Sequence, residues 1–271
     1  MPGPDAHPDK QWRADTELLS RSVREAGSIA RRYYGGTYKS WNKSHGNPVT
    51  EADIEIDNFL KETLLAARPD YGWLSEETAD DPARLSKERV FVVDPIDGTL
   101  GFLKHRPHFT IVAATVENGR PVSGAIYNPI TDEMYEASLG SGALKNGQPI
   151  HVSAHLGLEN MRLLAEKKVT DPDRWTVPWP SSITAETRAS VAYRMALVAE
   201  GAFDALVSLT HKSDWDVAAA DIILTEAGGR VTTREGNALL YNREDPDHGS
   251  VICAGPALHA RLLERMGELR A

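Results

Sequence analysis

Two aspartates three residues apart, Asp94 and Asp97, stand in the segment VFVVDPIDGTLGF, residues 90–102. An apolar run delivers the first carboxylate to the end of a buried strand, Pro95 turns the chain, and the second carboxylate follows. Carboxylates this close can share or bridge hard cations, and the intervening carbonyl of Ile96 can add a third oxygen. Gly98 and Thr99 then expose backbone N–H groups where a helix is expected to begin, an arrangement that binds phosphate. Cations beside a phosphate cradle are what hydrolysis of a phosphate ester requires. Read alone, the segment is more simply a turn with a helix cap, because Asp, Pro and Gly are common turn residues. An EF-hand calcium loop does not fit, since the acidic spacing is wrong and no glutamate holds its last position.

Three other segments carry acids in suggestive places. In WLSEET, residues 73–78, an apolar pair leads into Glu76 and Glu77. Glu76 could complete a cation's coordination, or the pair could be a solvated surface. In SDWDVAAADIILTEAGG, residues 213–229, Asp216 opens a small-residue helix. There it could be a cation ligand, or it could stabilise the helix N-terminus by ~0.5 kcal/mol. In NPVTEADIEIDNFL, residues 47–60, Thr50 and Asp53 fit a capping pattern. The functional alternative has Asp53 polarise a hydroxyl that orients an attacking water.

The elements that must position these residues can be read from periodicity. Helical spacing over 14–34 (Leu18, Leu19, Val23, Ala26, Ile29, Ala30, Tyr33) ends at Gly35-Gly36, and a second helix runs from Thr50 to Arg68. A strand at 90–93 is expected to stop at Pro95. Residues 109–116 and 122–127 read as strands joined by a hairpin at Asn118-Gly119, with further strands at 134–137 and 150–152. Residues 154–185 are irregular and Pro-rich. The expected division is an N-terminal half over 14–160 and a C-terminal half over 161–271, preceded by a disordered arm over 1–13. In the second half, helices are expected at 187–200, 217–227 and 256–269, and strands at 204–209, 230–233 and 251–254. Runs of both kinds in each half predict an α/β (α+β) fold of layered helices and sheets.

The chain has 271 residues, ample for a large core, with 41% hydrophobic and 25% charged residues. No apolar run approaches the ~18 residues of a membrane span. The polar, Pro-rich N-terminus lacks a signal peptide's apolar core. Cys253 is the only cysteine, which excludes an internal disulfide framework and a thiolate-rich metal site. These features favour the cytoplasm. A net charge of -9 speaks against a nucleic-acid polymer as partner and leaves carboxylates to spare for hard cations.

Taken together, VTEAD, SEET, DPIDGTLGF and WDVAAADIILTEAGG resemble, in order and spacing, the inositol monophosphatase superfamily of lithium-sensitive, magnesium-dependent phosphatases. The resemblance spans roughly residues 14–260. It implies a layered α/β/α/β/α sandwich of the inositol monophosphatase / fructose-1,6-bisphosphatase type, often dimeric, acting on a small phosphorylated metabolite with two to three Mg²⁺ ions. By motif position it assigns Glu76, Asp94 and the Ile96 carbonyl to a first metal, and Asp94, Asp97 and Asp216 to a second. Asp53 would pair with Thr99 and, with Glu76, activate water, while Gly98 and Thr99 amides would hold phosphate. Within the superfamily the chain looks most like the 3'(2'),5'-bisphosphate nucleotidase branch. The supporting details are Leu74-Ser75 before the Glu pair, GFLKHRPHFT at 101–110, and no acid between Asp204 and Asp214, where inositol enzymes carry a sugar-binding Glu. Departures are Leu100-Gly101, Ala189-Ser190 and Arg194 at positions where that branch has Lys-Glu, Gly-Ser and Lys. Ser190, Arg194 and Lys212, with Arg188 and His211, are the expected substrate contacts. The alternatives are an inositol-1-monophosphatase, another sugar or histidinol phosphatase, or an inactive regulator that keeps the fold.

Overall fold

A computed structural model describes residues 10–43 and 48–270. The first helix, α1 (Lys10–Tyr33), buries the stripe Leu18, Leu19, Val23, Ala26 and Ala30. It begins earlier than the sequence suggests: residues 10–13 of the expected disordered arm are helical, and residues 1–9 lie outside the described residues. Trp12 anchors that first turn, donating from Nε1 to Glu117 at 3.2 Å, while its carbonyl accepts from Ser123 at 2.7 Å.

An antiparallel pair, β1 (Ser40–Asn42) and β2 (Pro48–Thr50), leads into α2 (Glu51–Ala67). Thr50 and Asp53 form a reciprocal capping box at its start. Seven strands then lie side by side in chain order: β3 (Gly72–Ser75), β4 (Arg89–Asp97), β5 (Thr110–Glu117), β6 (Arg120–Asn128), β7 (Glu133–Ser138), β8 (Ala143–Lys145) and β9 (Gln148–Ile150). Only β3 and β4 are parallel. Asn118 and Gly119 both have positive φ at the β5–β6 hairpin, the backbone a tight two-residue turn needs. Strand β4 does not stop at Pro95 as expected. It continues to Asp97, because its pairing with β5 lapses between Asp94 and Asp97 and leaves a place for a residue without an N–H. A short helix, α3 (Thr99–Leu103), follows.

The second sheet comprises β10 (Arg162–Ala165), β11 (Thr184–Glu186), β12 (Ala205–Ser208), β14 (Arg230–Thr232) and β16 (Val251–Ala254), in the order β11-β10-β12-β16-β14. A small ladder joins β13 (Lys212–Ser213) to β15 (Asp247–His248). The helices of this half are α4 (Val191–Ala199), α5 (Asp214–Glu226) and α6 (Pro256–Met266). Helix α4 starts four residues later than periodicity suggests, because the Ser190 hydroxyl accepts from the Tyr193 N–H at 2.8 Å and sets the cap there. Helix α5 starts three residues earlier than expected, at Asp214.

Three clusters of buried side chains define five layers. Helices α1 and α2 cover one face of the seven-stranded sheet. Helices α4 and α5 lie between the two sheets, and α6 with Trp175 and Trp179 covers the outer face of the second sheet. The architecture is the α/β/α/β/α sandwich. Being covered on both sides, α5 is apolar nearly all round, with Val217 to Ala220 and Ile222 to Leu224 buried. Its small residues let β6 come close: a Cβ on Gly124 would meet the Ala219 carbonyl oxygen at 2.8 Å and the Ala219 Cα at 2.9 Å. No helix among the described residues is long and apolar enough to cross a membrane.

Candidate active site

The interruption in β4 places two carboxylates at one edge of the first sheet. Asp94 is 1% exposed and accepts from the Ile96 N–H at 3.0 Å. Asp97 sits at the N-terminus of α4, accepting from the Ala192 N–H at 2.7 Å, the Val191 N–H at 3.3 Å and the Ser190 hydroxyl at 2.5 Å. Asp216 comes from the first turn of α5, where it accepts from the Ser213 N–H at 2.8 Å. Three elements far apart in sequence thus bring Asp94, Asp97 and Asp216 together, with one oxygen from each within 4.8 Å of the others.

That proximity has an electrostatic cost. Burial, reinforced by Glu76 and Asp97, holds the Asp94 carboxyl well above the usual carboxylate range. Burial also raises Asp97 to about 6, against its hydrogen bonds from α4. Asp216 is pushed up to about 8, by burial first and then by the charge of Asp97. Protons or cations must relieve such a cluster. The donor set is oxygen only, which suits a hard divalent ion and excludes a thiolate or imidazole site. The residues therefore fit a magnesium-type centre.

Glu76 faces the same cavity, although its carboxylate turns toward Lys43, whose Nζ lies 3.4 Å from Glu76 and 2.5 Å from Glu77. Burial raises Glu77 to about 7 while Lys43 opposes the shift. Asp53 is fully buried on α2, where it completes the capping box and also approaches Thr99. One oxygen accepts from the Thr50 N–H at 2.8 Å, and the other lies 3.4 Å from the Thr99 hydroxyl. Thr99 is also 3.2 Å from the Ile96 carbonyl. Burial raises Asp53 to about 6. Gly98 has φ 93°, and a Cβ there would lie 2.8 Å from the Ser190 nitrogen, so only glycine allows the turn that brings Thr99 to the cavity.

The cavity measures about 410 Å³ and is lined by Glu76, Asp94, Asp97, Gly98, Thr99 and Asp216, together with Arg194, His211, Lys212 and Trp215. Burial lowers the pKa of the Lys212 ammonium, against the pull of Asp216 and Glu166. Ser190 is not in this lining. Its hydroxyl supports Asp97 and lies 3.0 Å from Thr110, so the structure places it behind the site instead of against a substrate. Arg188 also lies elsewhere. It pairs with Glu186 at 2.7 Å and, with Lys104, Arg106 and His108, lines a smaller cavity that shares Leu100 and Ala189 with the first. Sequence reasoning missed Glu166, which pairs with Arg194 at 3.1 Å and accepts from Ser208 at 2.8 Å. It also missed Lys43 and this basic annex. Only the cluster of basic residues at 104–108 offered a signal in the sequence.

Solved chains share this architecture. The suhB extragenic suppressor protein of Bartonella henselae superposes with a TM-score of 0.82 at 27% identity, covering 93% of this chain and 98% of that one. An inositol monophosphatase (IMPase) from Thermotoga maritima gives 0.82 at 28% identity, covering 94% and 97%. The model of the "Inositol monophosphatase family" matches residues 12–271, and the chain belongs to this family of phosphatases, which is generally metal-dependent. Among curated relatives, the inositol-1-monophosphatase of Rhizobium meliloti is 32% identical over 266 residues, covering 91% of this chain and 94% of its own length. The 3'(2'),5'-bisphosphate nucleotidase CysQ of Aggregatibacter actinomycetemcomitans is 29% identical over 240 residues, covering 85% and 89%.

Proposed function

We propose that the chain is a magnesium-dependent phosphomonoesterase that removes the 3'-phosphate of adenosine 3',5'-bisphosphate by attack of water. The observation that carries the reading is a cavity lined both by a carboxylate cluster, Asp94, Asp97 and Asp216, and by the basic side chains Arg194 and Lys212. Glu76, Asp94, the Ile96 carbonyl, Asp97 and Asp216 would hold two to three Mg²⁺ ions, which, when bound, neutralise phosphoryl charge and make water acidic enough to attack near neutral pH. Gly98 and Thr99 amides hold the reacting phosphate in line. The Thr99 hydroxyl, steered by Asp53, orients the attacking water and the Glu76 carboxylate takes its proton. The P–O ester bond breaks, and the leaving oxygen takes a proton from solvent water and departs as the alcohol. Lys212 and Arg194 face the phosphate that does not react, and the annex of Lys104, Arg106 and Arg188 adds positive charge beside it.

A second reading, a polyol monophosphate as substrate, is favoured by the Arg194–Glu166 pair, which neutralises one of those cations. Kinetics with adenosine 3',5'-bisphosphate and inositol 1-phosphate, with Mg²⁺ and with EDTA, decide between them. The first reading expects phosphate release only with Mg²⁺ and a higher kcat/KM for the bisphosphate. The opposite order supports the polyol reading, and metal-independent turnover rejects both.

A further inference from the structure

Asp57 lies on α2 one turn beyond Asp53, so both carboxylates emerge from the same face of the helix. It is 4% exposed, and neither its oxygens nor its charge face the cavity of the carboxylate cluster. Its two oxygens instead take one hydroxyl each: Oδ1 accepts from Ser75 and Oδ2 from Thr78. Those two residues flank Glu76 and Glu77 on either side. The Ser75 hydroxyl in turn receives the Glu77 N–H at 3.4 Å, and the Glu76 N–H donates to the Val93 carbonyl of β4 at 3.3 Å.

The segment after β3 has no regular structure to fix it. A buried carboxylate that accepts a hydroxyl from each end of a four-residue turn fixes it strongly, because charge-assisted hydrogen bonds are about twice as strong as neutral ones. Removing a donor would leave a buried anion short of a partner. Without the bracket, Glu76 would have to be ordered anew each time a cation binds, and that ordering would weaken binding.

We infer that Asp57 is a positioning residue that, through Ser75 and Thr78, holds the Glu76–Glu77 turn in the conformation that presents Glu76 to the cation centre. The inference rests on the proposed role of Glu76 as a cation ligand. Outer partners of metal ligands typically contribute about 10–100-fold to metal affinity.

The test uses the full chain with Thr78→Val, which keeps the side-chain shape, Asp57→Ala, and Glu76→Gln as reference. Mn²⁺ binding to the metal-stripped protein is followed by calorimetry. Steady-state rates are measured against Mg²⁺ concentration, and melting is measured in EDTA. Thr78→Val is expected to weaken Mn²⁺ binding by about tenfold or more and to raise half-saturating Mg²⁺ similarly. Its kcat at saturating Mg²⁺ should stay within about threefold of wild type, while its melting temperature in EDTA should fall modestly, because Asp57 loses one hydroxyl partner. Asp57→Ala should weaken Mn²⁺ binding further. Wild-type Mn²⁺ affinity in Thr78→Val, with Glu76→Gln impaired, overturns the inference and leaves the function standing. Wild-type affinity and activity in Glu76→Gln overturn the underlying role of Glu76. A fall in kcat and melting temperature without a shift in metal dependence would mark Asp57 as structural support only and also overturn the inference.

Discussion

Replacing Asp216 by Asn should make the metal-free protein more stable while destroying its cation site. The amide oxygen can still accept the Ser213 N–H that Asp216 accepts at 2.8 Å, so the start of α5 keeps its cap. The repulsion with Asp97 disappears. The carboxyl is raised from 3.8 to about 8 in the folded chain. Below its unfolded value both states are protonated and the group contributes nothing. As pH rises from there toward 8, the unfolded chain releases the proton and the folded chain retains it, so stability falls by up to ~1.4 kcal/mol per pH unit. Over the roughly three units to pH 7 this sums to ~4 kcal/mol. Asp216 borders the cavity, and screening by solvent there reduces the figure to roughly 2 kcal/mol. For a chain of this size that corresponds to about 4–8 °C in Tm. Calorimetric scans in EDTA should show Asp216→Asn melting above wild type by this amount at pH 7.5, with the gap closing near pH 4. Added Mg²⁺ should raise wild type more than the variant, since only a competent site gains by mass action. A variant that melts at or below wild type in EDTA at pH 7.5 would refute the idea that the carboxylates repel.

Two further outcomes follow from the geometry. Asp97→Asn should lower turnover by at least ~10²-fold, the loss typical when a central electrostatic element is removed; wild-type rates would reject its role. Gly124→Ala would place a methyl group 2.7 Å from Ile222 Cγ2 and against the backbone of Ala219, forcing α5 outward. Thermal melts should show a loss of about 1–3 kcal/mol, and Mg²⁺ affinity should weaken because α5 carries Asp216. An unchanged melting temperature would mean that sheet and helix are less tightly apposed.

The residues of the carboxylate cluster were legible in the sequence because their motifs are local: Asp94 and Asp97 share one turn, and Asp216 opens a helix whose small residues advertise close packing. The five layers were legible through the resemblance that those motifs carry, and the main helices through periodicity. Position 95 misled, since a proline ends a strand only where the ladder needs its N–H, and pairing between β4 and β5 lapses at that point. Ser190 misled because its neighbours in space, Asp97 and Thr110, lie some eighty or more residues earlier. Glu166 and Arg194 meet only after β10 and α4 pack, and no spacing rule connects them. The bracket of Asp57 was hidden by its helix, where an acid usually reads as solvent-facing.

The donation of Asp216 by α5 has a consequence for biosynthesis. A nascent polypeptide emerging from the ribosome displays Asp94 and Asp97 long before α5 has been made. The three-carboxylate cluster therefore cannot exist until the second half has been made and α5 has docked against the first sheet, so the complete cluster is a late product of folding.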